Sequence, residues 1–338
     1  MAHTSIFIVR SPLQLFNCVE AGKRYDDCGI KVLLILFRKE VDRALMEKIV
    51  TDADAVWGEV IFGDIRSNLK QIKLVLTLFR RYMDVKYCFI GDSTHIFNVY
   101  LNSIKPDKVV IVDDGASTYQ RALMVITGKY QVQNRHHEAI PALLRVTDRL
   151  LRLGPTYFKD ASFFSMYKTI QAYSERLDLV HNDYRFYRER VVNLPVKNEI
   201  LFIGSDIRRY VLSDPEKFEF YLSAVAKHYA GKQWTYVLHR KENESREKRS
   251  YMDAMARKYC FKIDIYDKIL EQQILHQGWK PEEIATFWSS AIDTLNVIYN
   301  PSATVFKLRA EDVKETSRFA LQEMHRHYGE MNLRIVEV

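Results

Sequence analysis

The sequence has 338 residues, more than one hydrophobic core usually serves, so we expect two domains. With 47% apolar and 28% charged residues, the composition is that of an ordinary globular protein and excludes collagen-like and low-complexity chains. No stretch reaches the roughly 18 apolar residues of a membrane-spanning helix, and the N-terminal residues do not follow a signal-peptide pattern. A net charge of +7 is compatible with nucleic acid, an anionic membrane surface or an anionic substrate.

Two further observations concern the location of the protein and its possible partners. Cys18, Cys88 and Cys260 lie in apolar contexts without metal-ligand spacing, so we expect buried thiols and a cytoplasmic location. The sequence has no helix-turn-helix, zinc-finger or RNP signature, which argues against sequence-specific nucleic-acid binding.

In the first part of the chain, short apolar runs alternate with amphipathic stretches. Strands are predicted at 5–10, 31–37, 55–62, 86–92 and 108–114, and helices at 12–25, 41–50, 69–82 and 94–103. Strands this uniformly apolar are covered on both faces, which indicates a parallel sheet between two layers of helices.

The second part repeats this alternation after an interruption. From 128 to 195 helical stretches dominate, and no buried strand is predicted there. Strands are then predicted at 199–206, 234–241, 261–266, 283–290, 303–308 and 332–338, separated by helices. We therefore predict an N-terminal Rossmann-like domain over 1–195, which includes the helical segment 128–195, and a C-terminal Rossmann-like domain over 196–338. Two doubly wound parallel-sheet domains facing a cleft are the GT-B layout, although other α/β proteins share it.

Polar residues gather where the predicted strands end, which is where open parallel sheets bind ligands. In the first domain these residues are Arg10, Ser11, Gly91-Asp92-Ser93 and Asp113-Asp114-Gly115. In the second they are Gly204-Ser205-Asp206, His239-Arg240-Lys241 and Ser289-Ser290.

Each group also has a purely structural interpretation. Residues 113–114 can cap the next helix while Gly115 makes the turn, and residues 204–206 can form a tight turn. His239 can be a core histidine bonded to the backbone. Ser289-Ser290 is a natural helix N-cap, and a capped helix start also attracts phosphate, so the two roles are compatible.

The same residue types suit glycosyl transfer. A carboxylate can take the proton of an acceptor hydroxyl, while cations and hydrogen-bond donors receive a phosphate leaving group. A histidine can donate to that phosphate near neutral pH. Because no metal-ligand cluster is evident, we expect positively charged side chains, rather than a metal ion, to stabilise the phosphate leaving group.

Five motifs in order resemble bacterial sialyltransferases of glycosyltransferase families 52 and 38, the second being the polysialyltransferases. IVDDG (111–115) resembles an acidic-acidic-glycine motif, LHR (238–240) a histidine-proline motif and WSSA (288–291) a paired Ser/Thr motif. GSD (204–206) is similar to a Gly-Ser-Pro-Asp element of family 52, and IVRSPLQLFNCVEA (8–21) to the first strand and helix.

This resemblance implies a GT-B fold, a CMP-activated nonulosonic acid as donor, and an inverting, metal-independent reaction on a bacterial surface glycan. It implies that Asp114, helped by Asp113, is the general base and that His239 meets the CMP phosphate. The implied donor-binding residues are Gly204, Ser205, His239, Arg240, Ser289 and Ser290. The implied acceptor or cleft residues are Arg10, Ser11, Gln14 and Gly115.

Two departures from the family pattern matter. Arg240 stands where the family histidine is followed by proline, so we expect a loop of less fixed shape with extra positive charge. The GSD element lacks its proline, and Asp206 therefore competes with Asp114 for the role of base; we favour Asp114.

Two other functions remain open at this stage. One keeps the fold but uses another nucleotide sugar, such as a UDP- or GDP-hexose. The other is a non-enzymatic basic scaffold that binds anionic polymer or membrane through residues 135–190, which are rich in Arg, Tyr and Phe. Peripheral association with the inner membrane and homodimer formation are further hypotheses.

Overall fold

The computed structural model describes most of the chain, and its contacts divide the chain into two units. The described residues are 3–25, 29–53, 57–92, 94–115, 117–118, 121–122, 161–167, 170, 177–239, 241–243, 245–266 and 269–338. The units are Met1–Phe186 and Tyr187–Val338. The sequence had suggested a division at residues 195 and 196.

The first unit is built on a seven-stranded parallel sheet. Its strands are β1 Thr4–Val9, β2 Ile30–Phe37, β3 Glu59–Asp64, β4 Tyr87–Ile90, β5 Lys108–Val112, β6 Ser162–Ser165 and β7 Leu179–His181. They lie in the order β3-β2-β1-β4-β5-β6-β7, and every neighbouring pair is parallel. The central β1 is buried from Ser5 onward, because sheet neighbours flank it and helices cover its faces.

Helices accompany this sheet as the periodicity predicts. They are α1 Pro12–Arg24, α2 Glu40–Asp52, α3 Asn68–Arg81, α4 Asn98–Leu101 and, across the division between the units, α5 Arg185–Val191. The start of α1 has local causes: Ser11 accepts the Gln14 N–H, and Pro12 occupies the first helical position. Lys23 and Arg24 occupy the last turn, where positive charge favours the helix dipole.

The expectation of a helical segment without strands over 128–195 is wrong in its described part. β6 and β7 pair there, and β6 is buried throughout. β6 reads SFFS, so its apolar pair Phe163–Phe164 is too short to stand out as a strand, and β7 has only three residues. Residues 123–160 lie outside the described residues.

The second unit is built on a six-stranded parallel sheet. Its strands are β8 Val196–Ile203, β9 Trp234–Val237, β10 Lys262–Asp264, β11 Lys280–Thr286, β12 Ser302–Lys307 and β13 Arg334–Glu337. The order is β10-β9-β8-β11-β12-β13. The helices are α6 Ile207–Tyr210, α7 Lys217–His228, α8 Arg246–Tyr259, α9 Leu270–Gln277, α10 Ala291–Tyr299 and α11 Glu315–Glu330. Phe202 lies at the centre of an aromatic core and contacts the rings of Trp234, Tyr236, Phe287 and Phe306.

Both sheets therefore have the Rossmann-like arrangement that the sequence predicts. In each unit the chain runs outward from the first strand to one edge and then returns to the other side of that strand. The order reverses between β1 and β4 and between β8 and β11, and open α/β sheets bind ligands beside such reversals.

Some local expectations need correction. Cys18 and Cys88 are buried, but Cys260 is exposed, because it caps the end of α8 in a left-handed conformation with φ of 55°. The strand predicted over 283–290 ends at Thr286, which leaves Ser289 and Ser290 in the following turn. No helix within the described residues combines the length and apolar character needed to cross a membrane.

Candidate functional site

In the first unit, the ends of β1 and β4 are joined by polar contacts around Arg10. The Arg10 backbone N–H donates to Gln14 Oε1 at 2.8 Å, and its guanidinium pairs with Asp92 at 2.9 Å. A Cβ on Gly91 would lie 2.6 Å from the Gln14 side-chain oxygen, so the end of β4 approaches α1 closely because residue 91 is glycine. Ser11, which caps α1, lies at the same edge of the sheet.

Asp114 is partly accessible at this edge, with 27% of its side chain exposed, about as much as Asp92 with 26%. Its Oδ2 accepts from Arg121 Nη2 at 2.8 Å and from Ser117 Oγ at 3.2 Å. Its Oδ1 lies 3.5 Å from Ser11 Oγ. Arg121 also donates to the Gly91 carbonyl, so one guanidinium links the Asp114 carboxylate to the end of β4.

Asp113 has a different environment from its neighbour. It is only 2% exposed, and its Oδ2 accepts the Met166 N–H at 2.8 Å just beyond β6. Burial raises its pKa to about 7, and hydrogen bonds, including the one from Met166, limit the rise. Burial is therefore the dominant cause of the shift, and it acts on Asp113.

The helix-cap interpretation of the acidic pair holds only in part. The Asp114 N–H donates to Thr118 Oγ1 at 2.9 Å, and Ser117 Oγ donates to the Asp114 carbonyl at 2.8 Å. Side chains of the following segment therefore satisfy the Asp114 backbone. Gly115 has φ of 61°, which makes the turn at this point and favours glycine.

In the second unit, the end of β8 approaches β9 closely at Gly204. The Gly204 N–H donates to the Val237 carbonyl at 2.9 Å. A Cβ on Gly204 would lie 2.5 Å from Glu242 Oε2 and 2.6 Å from the Val237 carbonyl. The next side chain, Ser205, has a buried hydroxyl without a hydrogen-bond partner among the described residues. Asp206 is 7% exposed and pairs with Lys248 at 3.0 Å.

Glu242 fixes the backbone of the loop after β9. Its Oε2 accepts the His239 N–H at 2.8 Å, and its Oε1 accepts the Tyr236 hydroxyl at 2.9 Å. Burial raises the Glu242 pKa to about 7, and these hydrogen bonds oppose the shift. Lys248 holds the other side of the loop by donating to the Lys241 carbonyl at 2.6 Å. The described part of this loop is thus held by side chains where the family pattern has a proline; Arg240 itself lies outside the described residues.

The same loop determines which ring nitrogen of His239 carries a proton. The Lys241 N–H donates to His239 Nδ1 at 3.3 Å. In the neutral imidazole, Nδ1 is therefore the acceptor, and Nε2 carries the proton. His239 is half-buried at the end of β9, so the interpretation as a fully buried core histidine does not apply.

Ser289 and Ser290 lie between β11 and α10. Ser290 is at the N-cap position but makes no side-chain capping bond, whereas Ser289 Oγ accepts the Ala291 N–H at 3.4 Å. Ser290 thus occupies the predicted N-cap position without the predicted bond, and Ser289 contacts the first N–H of the helix. The buried Asp293 in the first turn of α10 lies 3.3 Å from His327 Nε2 of α11.

Each unit therefore brings together its own predicted residues. In the first unit these are Arg10, Ser11, Gln14, Asp113, Asp114 and Gly115, at the ends of β1 and β5. In the second they are Gly204, Ser205, Asp206, His239, Ser289 and Ser290, at the ends of the neighbouring strands β9, β8 and β11. Sequence reasoning missed Arg121, Glu242 and Lys248. Their only sequence signal is charge close behind a strand end, which exposed helix starts also show.

The two best-formed cavities among the described residues lie away from this site. Two cavities of about 250 and 450 Å³ open at the opposite edge of the second sheet, where β11 and β12 begin, and both are lined by Asn300 and Ser302. Within the described part of the chain, no three His, Cys, Asp or Glu side chains are grouped so that they could hold a metal ion.

Comparisons with known proteins support the fold. No protein-family model and no curated protein matches the sequence. Among solved structures, a protein provisionally assigned as a UDP-N-acetylglucosamine 2-epimerase from Listeria monocytogenes is 10% identical, with a TM-score of 0.51 over 94% of this chain and 82% of that chain. The UDP-GlcNAc 2-epimerase from Neisseria meningitidis is 11% identical, with a TM-score of 0.49 over 99% and 95%. The GT-B domain of a Photobacterium damselae sialyltransferase is 10% identical, with a TM-score of 0.44 over 99% and 100%. The two parallel-sheet units and the first of these similarities confirm the predicted GT-B fold.

Proposed function

We propose that this chain is an inverting glycosyltransferase that moves a nonulosonic acid from a CMP-activated donor to a hydroxyl of a bacterial surface glycan. One observation carries the proposal. In the second unit, three neighbouring strand ends present a histidine whose Nδ1 accepts a backbone N–H, a glycine packed closely against the next strand, and a helix start. Hydrogen-bond donors at the ends of parallel strands suit a phosphate leaving group.

The departing CMP phosphate would be received in this unit. His239 Nε2 donates a hydrogen bond or a proton to it, and the N–H groups at the start of α10 face the same edge of the sheet. Lys241 and Lys248 supply positive charge beside the His239 loop, and Lys248 is already held by Asp206. We propose that these cations replace a metal, so that activity persists in EDTA.

The contrast between Asp114 and Asp206 supports Asp114 as the base. The Asp206 side chain is 7% exposed and bound to Lys248, whereas Asp114 is 27% exposed. Asp113 is too buried to contact an acceptor, so we propose that it helps by tying the end of β5 to Met166.

The proposed reaction is a single displacement. As the acceptor oxygen bonds to the anomeric carbon, the bond from that carbon to the CMP phosphate breaks. The hydroxyl proton passes to the Asp114 carboxylate, and the electron pair leaves with CMP. Arg121 and Ser117 both donate to Oδ2, and these two contacts orient the Asp114 carboxylate.

The donor is tested by nucleotide binding. The five-motif resemblance supports CMP, so CMP and CDP should raise the melting temperature by mass action, while UDP and GDP should not. If only UDP or GDP raised the melting temperature, the donor would be a UDP- or GDP-sugar, and glycosyl transfer would remain the proposed reaction. Salt-sensitive binding of anionic polymer without nucleotide preference would favour the scaffold hypothesis.

The mechanism is tested by CMP release with purified protein, donor and acceptor glycan. Asp114→Asn and His239→Ala should each slow release by about 10²–10⁴-fold, the usual contribution of a positioned acid or base. Asp253→Asn, which removes an acid from the surface of α8, is the matched control and should retain the rate. Near wild-type rates in both site variants would refute the mechanism, and loss only in Asp206→Asn would transfer the role of base to Asp206.

A further inference from the structure

Helix α3 exposes an apolar stripe on the side away from the sheet. Leu69 and Leu76 are 71% and 51% exposed, and Ile72 between them is also exposed. Gln71, Val75 and Leu78 form the buried side of the same helix. The helix therefore packs on the first unit through its buried side, and the exposed stripe is a second apolar face.

Basic residues lie directly beside this stripe. At about 100° per residue, Leu69, Ile72 and Leu76 fall within an arc of about 60° around the helix, and Lys73 and Arg80 lie within about 40° of Leu69 on its other side. The exposed surface of α3 is thus divided lengthwise into an apolar half and a basic half.

The charge on this face has one sign. The helix sequence NLKQIKLVLTLFRR contains four basic residues and no acidic residue. Lys70 and Arg81 are paired with Asp64 and Glu59. Lys73 and Arg80 make no ion pair with any residue that the structure describes, so both remain available to an anionic partner.

We propose that this face of α3 docks on an anionic phospholipid surface. An apolar stripe flanked by lysine and arginine is the pattern of a helix that lies in the membrane interface, with its side chains at the boundary of headgroups and acyl chains. Juxtamembrane basic residues add attraction to anionic lipid. The sequence analysis had placed membrane contact at 135–190, whereas the described residues favour α3.

This inference goes beyond the proposed transfer reaction and does not depend on the donor. It gives the first unit a means of holding the protein at a membrane surface. Because α3 carries none of the proposed catalytic or donor-binding residues, lipid binding and CMP release can be measured separately, and either can fail alone.

The test is flotation of the full chain with vesicles of phosphatidylcholine alone or with one quarter phosphatidylglycerol. We expect binding to the anionic vesicles only, and weakening by salt. Lys73→Gln should weaken partitioning about fivefold, and Leu76→Ser about tenfold, because each removes one contribution to interfacial binding. Val41→Ser is the matched control: Val41 is 68% exposed on α2 between Glu40 and Asp42, and its replacement should leave binding unchanged.

Thermal melting without nucleotide checks that the variants remain folded, since both α3 substitutions lie on the exposed face and should keep the wild-type melting temperature within a few degrees. If the wild-type chain did not float with anionic vesicles, the proposal would be overturned. That result is also the one expected if this face binds an acidic protein instead of lipid. Equal flotation of wild type, Lys73→Gln and Leu76→Ser would also overturn it, because binding would then use another surface.

Discussion

Glu242 is expected to make the stability of the second unit depend on pH. Its carboxyl group is buried beneath the loop that carries His239, and burial raises its pKa from 4.5 to about 7. Between these values the folded protein binds a proton that the unfolded chain has released. The free energy of unfolding therefore includes a contribution that is complete below about pH 4.5 and is lost as pH rises through about 7.

The size of this effect follows from the shift. One proton changes the free energy of unfolding by at most about 1.4 kcal/mol per pH unit, so the interval from 4.5 to about 7 corresponds to about 3 kcal/mol. Glu242→Gln is a neutral mimic of the protonated acid: its oxygen can accept from His239 N–H, and its amide can donate to the Tyr236 oxygen. The variant should match wild type near pH 4.5 and exceed it by about 3 kcal/mol at pH 8.

Urea unfolding from pH 5 to 8, followed by tryptophan fluorescence, measures this difference. Trp234, Trp279 and Trp288 lie in the second unit and only Trp57 in the first, so the signal reports mainly on the unit that contains Glu242. Asp113 titrates in a similar range in the first unit, and subtracting the two curves removes its contribution.

Two further variants make the result specific. Glu242→Ala removes the acceptor of the His239 N–H and the Tyr236 hydroxyl, so it should be destabilised at every pH. Glu247→Gln removes a nearby exposed charge from the first turn of α8 and is the control for a general loss of negative charge. If Glu242→Gln ran parallel to wild type from pH 5 to 8, burial of this carboxyl would not be the cause of the pH dependence.

The remaining predictions concern the contacts around the same loop. Gly204→Ala should lower the free energy of unfolding by about 1–3 kcal/mol and weaken nucleotide binding, because its Cβ would collide with the Glu242 carboxylate and the β9 backbone. Gly329→Ala, in α11 with open space around it, should stabilise by about 0.5–1 kcal/mol in the same urea assay, and equal losses in both variants would contradict the steric argument. Lys248→Met should cost about 2 kcal/mol because it leaves Asp206 buried and unpaired. Adding Asp206→Asn should recover the part of that loss that comes from the unpaired carboxylate, but not the part that comes from the lost bond to the Lys241 carbonyl. If calorimetry gave a double-variant loss equal to the sum of the two single losses, the pair would not be coupled.

How far the sequence predicts the fold depends on strand length and apolar content. KVVIV of β5 is recognisable because consecutive β-branched residues can be buried on both faces of a sheet. SFFS of β6 is not, since its place in the sheet depends on pairing with β5 and β7 rather than on its own four residues. The end of β11 was extended too far because the apolar run continues through Phe287 and Trp288 after the sheet contacts stop.

The candidate site was predictable only where its residues follow a strand. Asp114 and His239 could be located because strand ends are visible in the sequence. Arg121 and Lys248 could not be located, because the contacts that they make form only in the folded chain. Lys248 contacts Asp206, which lies 42 residues earlier in the sequence. The proline missing after His239 suggested a loose loop, but Glu242 replaces a covalent restraint with a hydrogen bond.

The two units use similar devices at their strand ends. In each, a buried acid with a pKa raised to about 7 binds a backbone N–H, and a more accessible candidate catalytic side chain lies within three residues of it: Asp113 beside Asp114, and Glu242 after His239. A neutral residue would avoid the cost of ionising a buried acid at neutral pH, so stability alone does not favour these carboxyl groups. An ionised acid does hold a backbone N–H more strongly than a neutral acceptor would. The two buried acids thus lower stability near neutral pH, but they hold the two loops whose geometry the proposed reaction needs. Each loop should become more flexible when its acid is replaced by an apolar residue.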